Sequence, residues 1–97
     1  MKKLTIFYLE GCPYCRRAAE AVRELQAEDP SLEAVGIEWI EETVHPEIAD
    51  LYDYYRVPSI YLGDEKLYEC SPGDGYGEIR RRAEQALRLA SESDPLI

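Results

Sequence analysis

Cys12 and Cys15 stand as Cys12-Pro13-Tyr14-Cys15, directly after the run Leu4-Thr5-Ile6-Phe7-Tyr8-Leu9. Two thiols at this spacing can close into a disulfide and reopen by thiolate exchange, and the same spacing also serves zinc sites. The chain hands a strand over to a helix here, which sets the first sulfur at a helix N-terminus. Free N–H groups and the helix dipole favour an anion at that place. Pro13 suits the first helical turn, since it has no N–H to leave unsatisfied and its φ is already helical. Spacing alone leaves open a redox dithiol and a structural or metal-binding pair.

Other chemistry-bearing residues add less. Cys70 closes a later strand and is expected as an inert, half-buried thiol, the alternative being a regulatory one. His45 precedes Pro46 at an expected helix start, far from the dithiol. A tetrahedral site of Cys12, Cys15, Cys70 and His45 would need His45 to cross the sheet, so no metal ligands are assigned. Arg16 and Arg17 either add positive potential beside the cysteines or face solvent. Arg80-Arg81-Arg82 reads as a solvated helix face rather than a phosphate site. Trp39, Tyr52, Tyr54 and Tyr55 are expected as packing and surface aromatics, not a ligand cage. Pro58 is unusual at a strand start, because it cannot donate to a sheet ladder.

These residues must be held by a regular frame. Leu4 to Leu9 is β-branched and aromatic, hence a largely buried strand. From Pro13 to Glu28, Cys15, Ala18, Ala19, Val22 and Leu25 recur at helical spacing, and Asp29-Pro30-Ser31 stops the helix. Leu32 to Ile40 alternates, with Val35, Ile37 and Trp39 expected on one side of a second strand. Pro46 opens a short helix with Ile48, Leu51, Tyr52 and Tyr55 as its stripe. Val57 to Leu62 reads as a third strand, Gly63-Asp64 as a hairpin turn, and Lys66 to Cys70 as a fourth. Ser71 to Gly75 is a loop, and a last helix from Tyr76 to Ala90 turns Ile79, Ala83, Ala86, Leu87 and Ala90 inward. A strand, crossover helix and second strand predict a right-handed parallel pair.

Length and charge set the outer bounds. The 97 residues suit one domain, 1–97, with residues 91–97 as a frayed tail. Hydrophobic residues at 45% and charged ones at 32% fit a soluble globular chain rather than a disordered one. No apolar run is long enough to span a bilayer, and Met1-Lys2-Lys3 leads straight into the first strand without a signal-peptide core. Three cysteines do not suit a secreted disulfide framework, so the expected location is cytoplasmic. A net charge of −9 repels phosphate backbones, which argues against a nucleic-acid partner.

Cys12-Pro13-Tyr14-Cys15 after the first strand, with Val57-Pro58 opening the third, resembles the thioredoxin superfamily and the glutaredoxins most closely. The resemblance extends over residues 3 to 90. It implies a thioredoxin-like α/β fold, βαβ-αββα, with a four-stranded mixed sheet flanked by helices. It also implies a thiol–disulfide oxidoreductase that reduces protein or small-molecule disulfides, with Cys12 attacking and Cys15 resolving. In that family the proline at the place of Pro58 is cis and faces the dithiol. Pro13, Tyr14, Arg56, Val57 and Pro58 become the expected substrate-binding residues, with the Val57 backbone hydrogen-bonding an extended substrate. No bound cofactor is implied. Glutathione or a thioredoxin-reductase-like flavoprotein would supply electrons to an expected monomer.

The chain departs from glutathione-binding members at three places. Tyr8-Leu9-Glu10-Gly11 brings no basic residue before Cys12, Arg56-Val57-Pro58 stands for Thr-Val-Pro, and Tyr68-Glu69-Cys70-Ser71 stands for a Gly-Gly and polar cap. Tyr68-Glu69 is expected to crowd and repel a ligand carboxylate, and Arg56 to replace one lost charge contact. The thioredoxin branch is also imperfectly matched, since Gly11 and Ile6 stand where it carries tryptophan and aspartate, yet Pro46 to Tyr52 with Val57-Pro58-Ser59 resembles its run from second helix to third strand. Two readings of other classes remain. One is an iron–sulfur or metal carrier, against which Pro13 argues; the other is a redox-inert interaction domain, against which intact Cys12, Cys15 and Pro58 argue.

Overall fold

The apolar run after Lys3 becomes an inner strand with neighbours on both sides. A computed structural model describes residues 2–92. Its elements are β1 (Leu4–Tyr8), α1 (Pro13–Glu28), α2 (Pro30–Glu33), β2 (Ile37–Glu41), α3 (Pro46–Ala49), β3 (Ser59–Leu62), β4 (Glu65–Glu69) and α4 (Tyr76–Glu92). The sheet order is β2-β1-β3-β4. β1 runs parallel to β2, with Leu4 beside Ile37, and antiparallel to β3, with Leu4 opposite Leu62. β3 and β4 form the hairpin, turning at Gly63 with φ 60°. This is the α/β thioredoxin-like architecture with helices about a four-stranded mixed sheet.

Because side chains alternate across a strand, β1 divides the core in two. Leu4 and Ile6 join the larger cluster with Ala18, Val22 and Leu25 of α1 and Ile79, Ala83 and Leu87 of α4. Phe7 faces the other way, onto Ile40 and Tyr61, with Tyr52 and Tyr54 packed against them. Small residues let α1 and α4 approach closely, and ion pairs tie their flanks. Arg80 meets Glu24 and Glu28, and Tyr76 also bonds Glu24. Arg81 and Arg82 reach Glu78, so the arginine run is an ion-paired helix face.

Several expectations need correction. The second strand does not begin at Leu32. Asp29 accepts the Ser31 N–H at 3.0 Å and caps the short helix α2, which buries Leu32, and the strand starts at Ile37. Trp39 lies beside Ile6 in register on an edge strand, where 37% of it stays exposed, in keeping with a surface aromatic. On α1 the buried alanine is Ala21, while Ala19 faces solvent. α3 ends at Ala49, so the stripe Ile48, Leu51, Tyr52 and Tyr55 does not form, and Leu51 and Tyr55 point outward. β3 starts at Ser59 rather than Val57, because the proline before it cannot join the ladder. α4 continues through Ser91 and Glu92, and the rest of the expected tail, residues 93–97, lies outside the described residues.

Candidate active site

β1 ends in a tight turn at Gly11, whose φ of 86° favours a residue without a Cβ. The turn is closed by the Cys12 N–H donating to the Leu9 carbonyl at 3.2 Å. Cys12 is then the N-cap of α1, and its carbonyl accepts the Arg16 N–H at 3.0 Å. Pro13 fills the first helical position, as the sequence implies. The first turn holds no acidic side chain and contains Arg16, with Arg17 following, while Glu10 shares with Arg16 the hollow that borders the half-buried Cys12. The Arg17 guanidinium sits over the Tyr14 ring, 5.0 Å from its centroid.

Cys15 lies one turn further in and only 5% of it is exposed. Burial pushes its thiol from an ordinary 9.0 up to about 12. The Leu9 N–H, 3.5 Å from the sulfur, opposes that rise, whereas Cys12 and then Cys70 add to it. Two sulfurs in one motif thus have unlike surroundings. One is accessible at a helix N-terminus, and the other is kept protonated by the core.

The Val57–Pro58 bond is cis, and Pro58 is buried. The Pro58 carbonyl accepts the Cys70 N–H at 3.0 Å, which sets Cys70 beside the proline. Cys70 is buried rather than half-buried, and its thiol is pushed up by burial, with Tyr68 opposing and Asp74 and Cys12 adding. Tyr14, Arg56, Val57, Cys70 and Ser71 line a groove of about 290 Å³. A second hollow of about 400 Å³ borders Cys12 itself and is walled by Leu9, Arg16 and Trp39. The fold therefore gathers Tyr14, Arg56 and Val57 on one groove, with Pro58 beneath and Pro13 exposed on the helix start.

Three contacts had no readable signal in the sequence. The Tyr14 hydroxyl accepts the Gly73 N–H at 3.0 Å and ties loop 71–75 to the dithiol turn. Asp74 anchors the same loop, accepting the Tyr68 hydroxyl at 2.6 Å and the Ser71 N–H at 3.0 Å. Glu69 does not crowd the groove. Its carboxylate turns aside to accept the N–H groups of Tyr55 and Arg56, both at 2.8 Å, so the expected crowding by Glu69 does not arise. Tyr68 is likewise buried, beneath the Arg82 guanidinium. His45 caps the start of α3 and lies 3.4 Å from Glu47. Among the described residues, no group of three or more His, Cys, Asp or Glu side chains is arranged to hold a metal ion. Nor is any described helix long and apolar enough to cross a membrane.

A Cys-x-x-C at the head of the first helix, beside a cis-proline strand in a β2-β1-β3-β4 sheet, defines a thioredoxin-like domain. A family model described as "Glutathione S-transferase, N-terminal domain" matches residues 6–72. The chain is similar to glutaredoxin-1 of Homo sapiens, 31% identical over 71 residues, and to glutaredoxin-1 of Oryctolagus cuniculus, 29% identical over 76 residues. Each match covers 71% of this chain and 67% of the relative. The chain belongs to the glutaredoxin-like family of the thioredoxin superfamily.

Proposed function

We propose that the protein is a thiol–disulfide oxidoreductase that reduces protein or small-molecule disulfides through Cys12 and Cys15. The observation that supports this best is the asymmetry of the pair: Cys12 accessible at the α1 N-cap, Cys15 buried with its thiol pushed up to about 12. The Cys12 thiolate attacks one sulfur of a substrate disulfide. A Cys12–substrate bond forms, the substrate S–S bond breaks, and the departing thiolate takes a proton. Cys15 then loses its proton and attacks the Cys12 sulfur, releasing the second substrate thiol. Two electrons have passed to the substrate, and a Cys12–Cys15 disulfide remains.

Recovery needs two electrons from an external thiol or a reductase. Glutathione is the proposed donor, with a thioredoxin-reductase-like flavoprotein as the competing one; no bound cofactor enters the cycle. Arg56 is exposed and without a carboxylate partner among the described residues, so it suits a ligand carboxylate at the groove. Val57 offers its backbone next to it, and Tyr14 forms the facing wall. The working compartment is the cytoplasm, where such thiols are kept reduced, and the working form is a monomer.

The test is turnover of one disulfide peptide with glutathione or a flavoprotein reductase as donor. Cys12→Ser should abolish turnover with either donor, and Cys15→Ser should accumulate a Cys12–peptide mixed disulfide visible by mass. Undiminished turnover by Cys12→Ser would sink the proposal.

A further inference from the structure

We propose that the surface around α3, from Val44 to Tyr55, docks a lysine- or arginine-bearing segment of the protein whose disulfide is reduced. This rests on the dithiol reading and names the substrate class for it. The first observation is misplaced apolar surface. Val44 is 65% exposed, Leu51 80% and Tyr55 89%, all within one short stretch. Large side chains this exposed and this close together mark an interaction face. Tyr52, Tyr54 and Tyr55 line a hollow of about 480 Å³ on this face, and Tyr55 also lines the groove beside Cys70. Tyr55 thus joins this hollow to the groove that Tyr14, Arg56 and Val57 line, while Leu51 borders a neighbouring hollow with Tyr52 and Asp53.

The backbone under this face is already fixed. Glu69 holds the N–H groups of Tyr55 and Arg56, and the Tyr61 hydroxyl donates to the Asp53 carbonyl at 2.7 Å. Tyr52 and Tyr54 pack on Phe7, with ring centroids 4.7 and 4.9 Å away. Exposed Leu51 and Tyr55 thus stand on a rigid base, and little ordering is lost when a partner covers them.

Charge selects the partner. No lysine or arginine occurs between Arg23 and Arg56, whereas Glu41, Glu42, Glu47, Asp50 and Asp53 fall in this stretch. Glu41 is occupied by Thr43 and the Glu10 N–H, Glu42 by the Tyr54 hydroxyl, and Glu47 lies near His45. Asp50 has no ion pair among the described residues, and Asp53 feels the Lys66 charge without pairing its carboxylate to it. The adjacent cation, Lys66, is committed to Glu69 at 2.8 Å and to the Asp53 carbonyl. An apolar surface whose rim is acidic apart from the committed Lys66 fits a segment with both apolar and basic side chains. Arg56, at the dithiol end, marks where the partner's basic stretch must stop.

The experiment compares two cystine peptides of equal length, one flanked by Lys/Arg and Leu, the other by Glu and Leu, each read against a small uncharged disulfide. The wild-type protein should favour the basic peptide about tenfold or more in kcat/KM at low salt, with the preference shrinking in about 0.5 M salt. Glu47→Lys with Asp50→Lys should bring the preference near parity, as should the milder Glu47→Gln with Asp50→Asn. Leu51→Ser with Tyr55→Ser should lower turnover of the basic peptide relative to the small disulfide. Glu33→Lys with Glu92→Lys makes the same change in net charge on elements leading away from the dithiol and should leave the preference in place. An equal loss in that control pair would trace the preference to overall charge and overturn the docking site. No preference in the wild type, with both peptides turned over, would overturn the inference and leave the dithiol reading standing. No turnover of any disulfide would overturn both.

Discussion

One oxygen of Glu69 accepts the Arg56 N–H at 2.8 Å, and the same oxygen accepts the Tyr55 N–H at the same distance. The end of the β3–β4 hairpin thereby holds the segment that leads into Val57 and Pro58. The other oxygen of Glu69 takes the Lys66 ammonium at 2.8 Å, so the carboxylate is filled on both sides. The chain thus commits this carboxylate to its own backbone at the edge of the groove.

Glu69→Ala should therefore weaken substrate binding and stability together. Two exposed N–H groups would lose a charged acceptor that water replaces only in part, at a cost of about 1 kcal/mol in denaturant unfolding. KM for a disulfide peptide should rise more than kcat falls, because the loop is displaced while the sulfurs stay in place. Burial pushes the Glu69 carboxyl up, but Lys66 and the two N–H groups outweigh it and hold the group below its ordinary value. Its folded pKa is thus lower than its unfolded one. The stabilisation is complete above the unfolded value and is lost as pH falls through the folded one. Unfolding curves at descending pH should show this slope in the wild type and less of it in Glu69→Gln. Superimposable curves for the two proteins would remove Glu69 from this role.

The dithiol, its helix and the strand pattern were legible because each is a local signal. Cys12, Pro13 and Cys15 need only a strand before and a helix after, and the inward face of α4 follows from spacing alone. Trp39 follows the strand alternation, and its exposure accords with β2 standing at the sheet edge. What escaped depends on distant partners. Leu51 and Tyr55 fit a helical stripe, but α3 ends at Ala49 and Tyr54 takes the place beside Phe7. Glu69 reads from sequence as a repulsive charge on the groove. Only the hairpin's position against residues 55–56 turns it inward to the backbone.

The three thiols should separate cleanly under alkylation. At neutral pH an iodoacetamide pulse on the reduced, folded protein should mark Cys12, which is half-buried at the helix start, and spare buried Cys15 and Cys70. Cys15 is pushed up to about 12 by burial first, and Cys70 is raised for the same leading reason. For Cys15 the folded state keeps its proton where the unfolded chain has lost it. That contribution to stability is present below the ordinary value of 9.0 and disappears as pH rises towards about 12. Reduced protein should accordingly unfold in less denaturant as pH climbs through this range, with Cys15→Ala showing a shallower decline. Peptide mass mapping after the neutral pulse checks the first claim, and Cys15 labelled as fast as Cys12 would contradict it.

Phe7→Ala tests whether the smaller core supports the substrate-facing segment. The ring is fully buried and sits among Tyr52, Tyr54 and Tyr61, with centroids 4.7, 4.9 and 5.8 Å away. Removing it leaves a cavity and should cost about 3–5 kcal/mol. Tyr52 and Tyr54 lose the surface that fixes the chain between α3 and Val57, so the loss should extend beyond stability. Hydrogen exchange at residues 52–57 should accelerate more than in the α1–α4 core, and KM for a disulfide peptide should rise. Phe7→Leu, which keeps most of the volume, should recover most of both. Uniform acceleration across both cores would show that Phe7 stabilises the fold as a whole and gives this segment no special support.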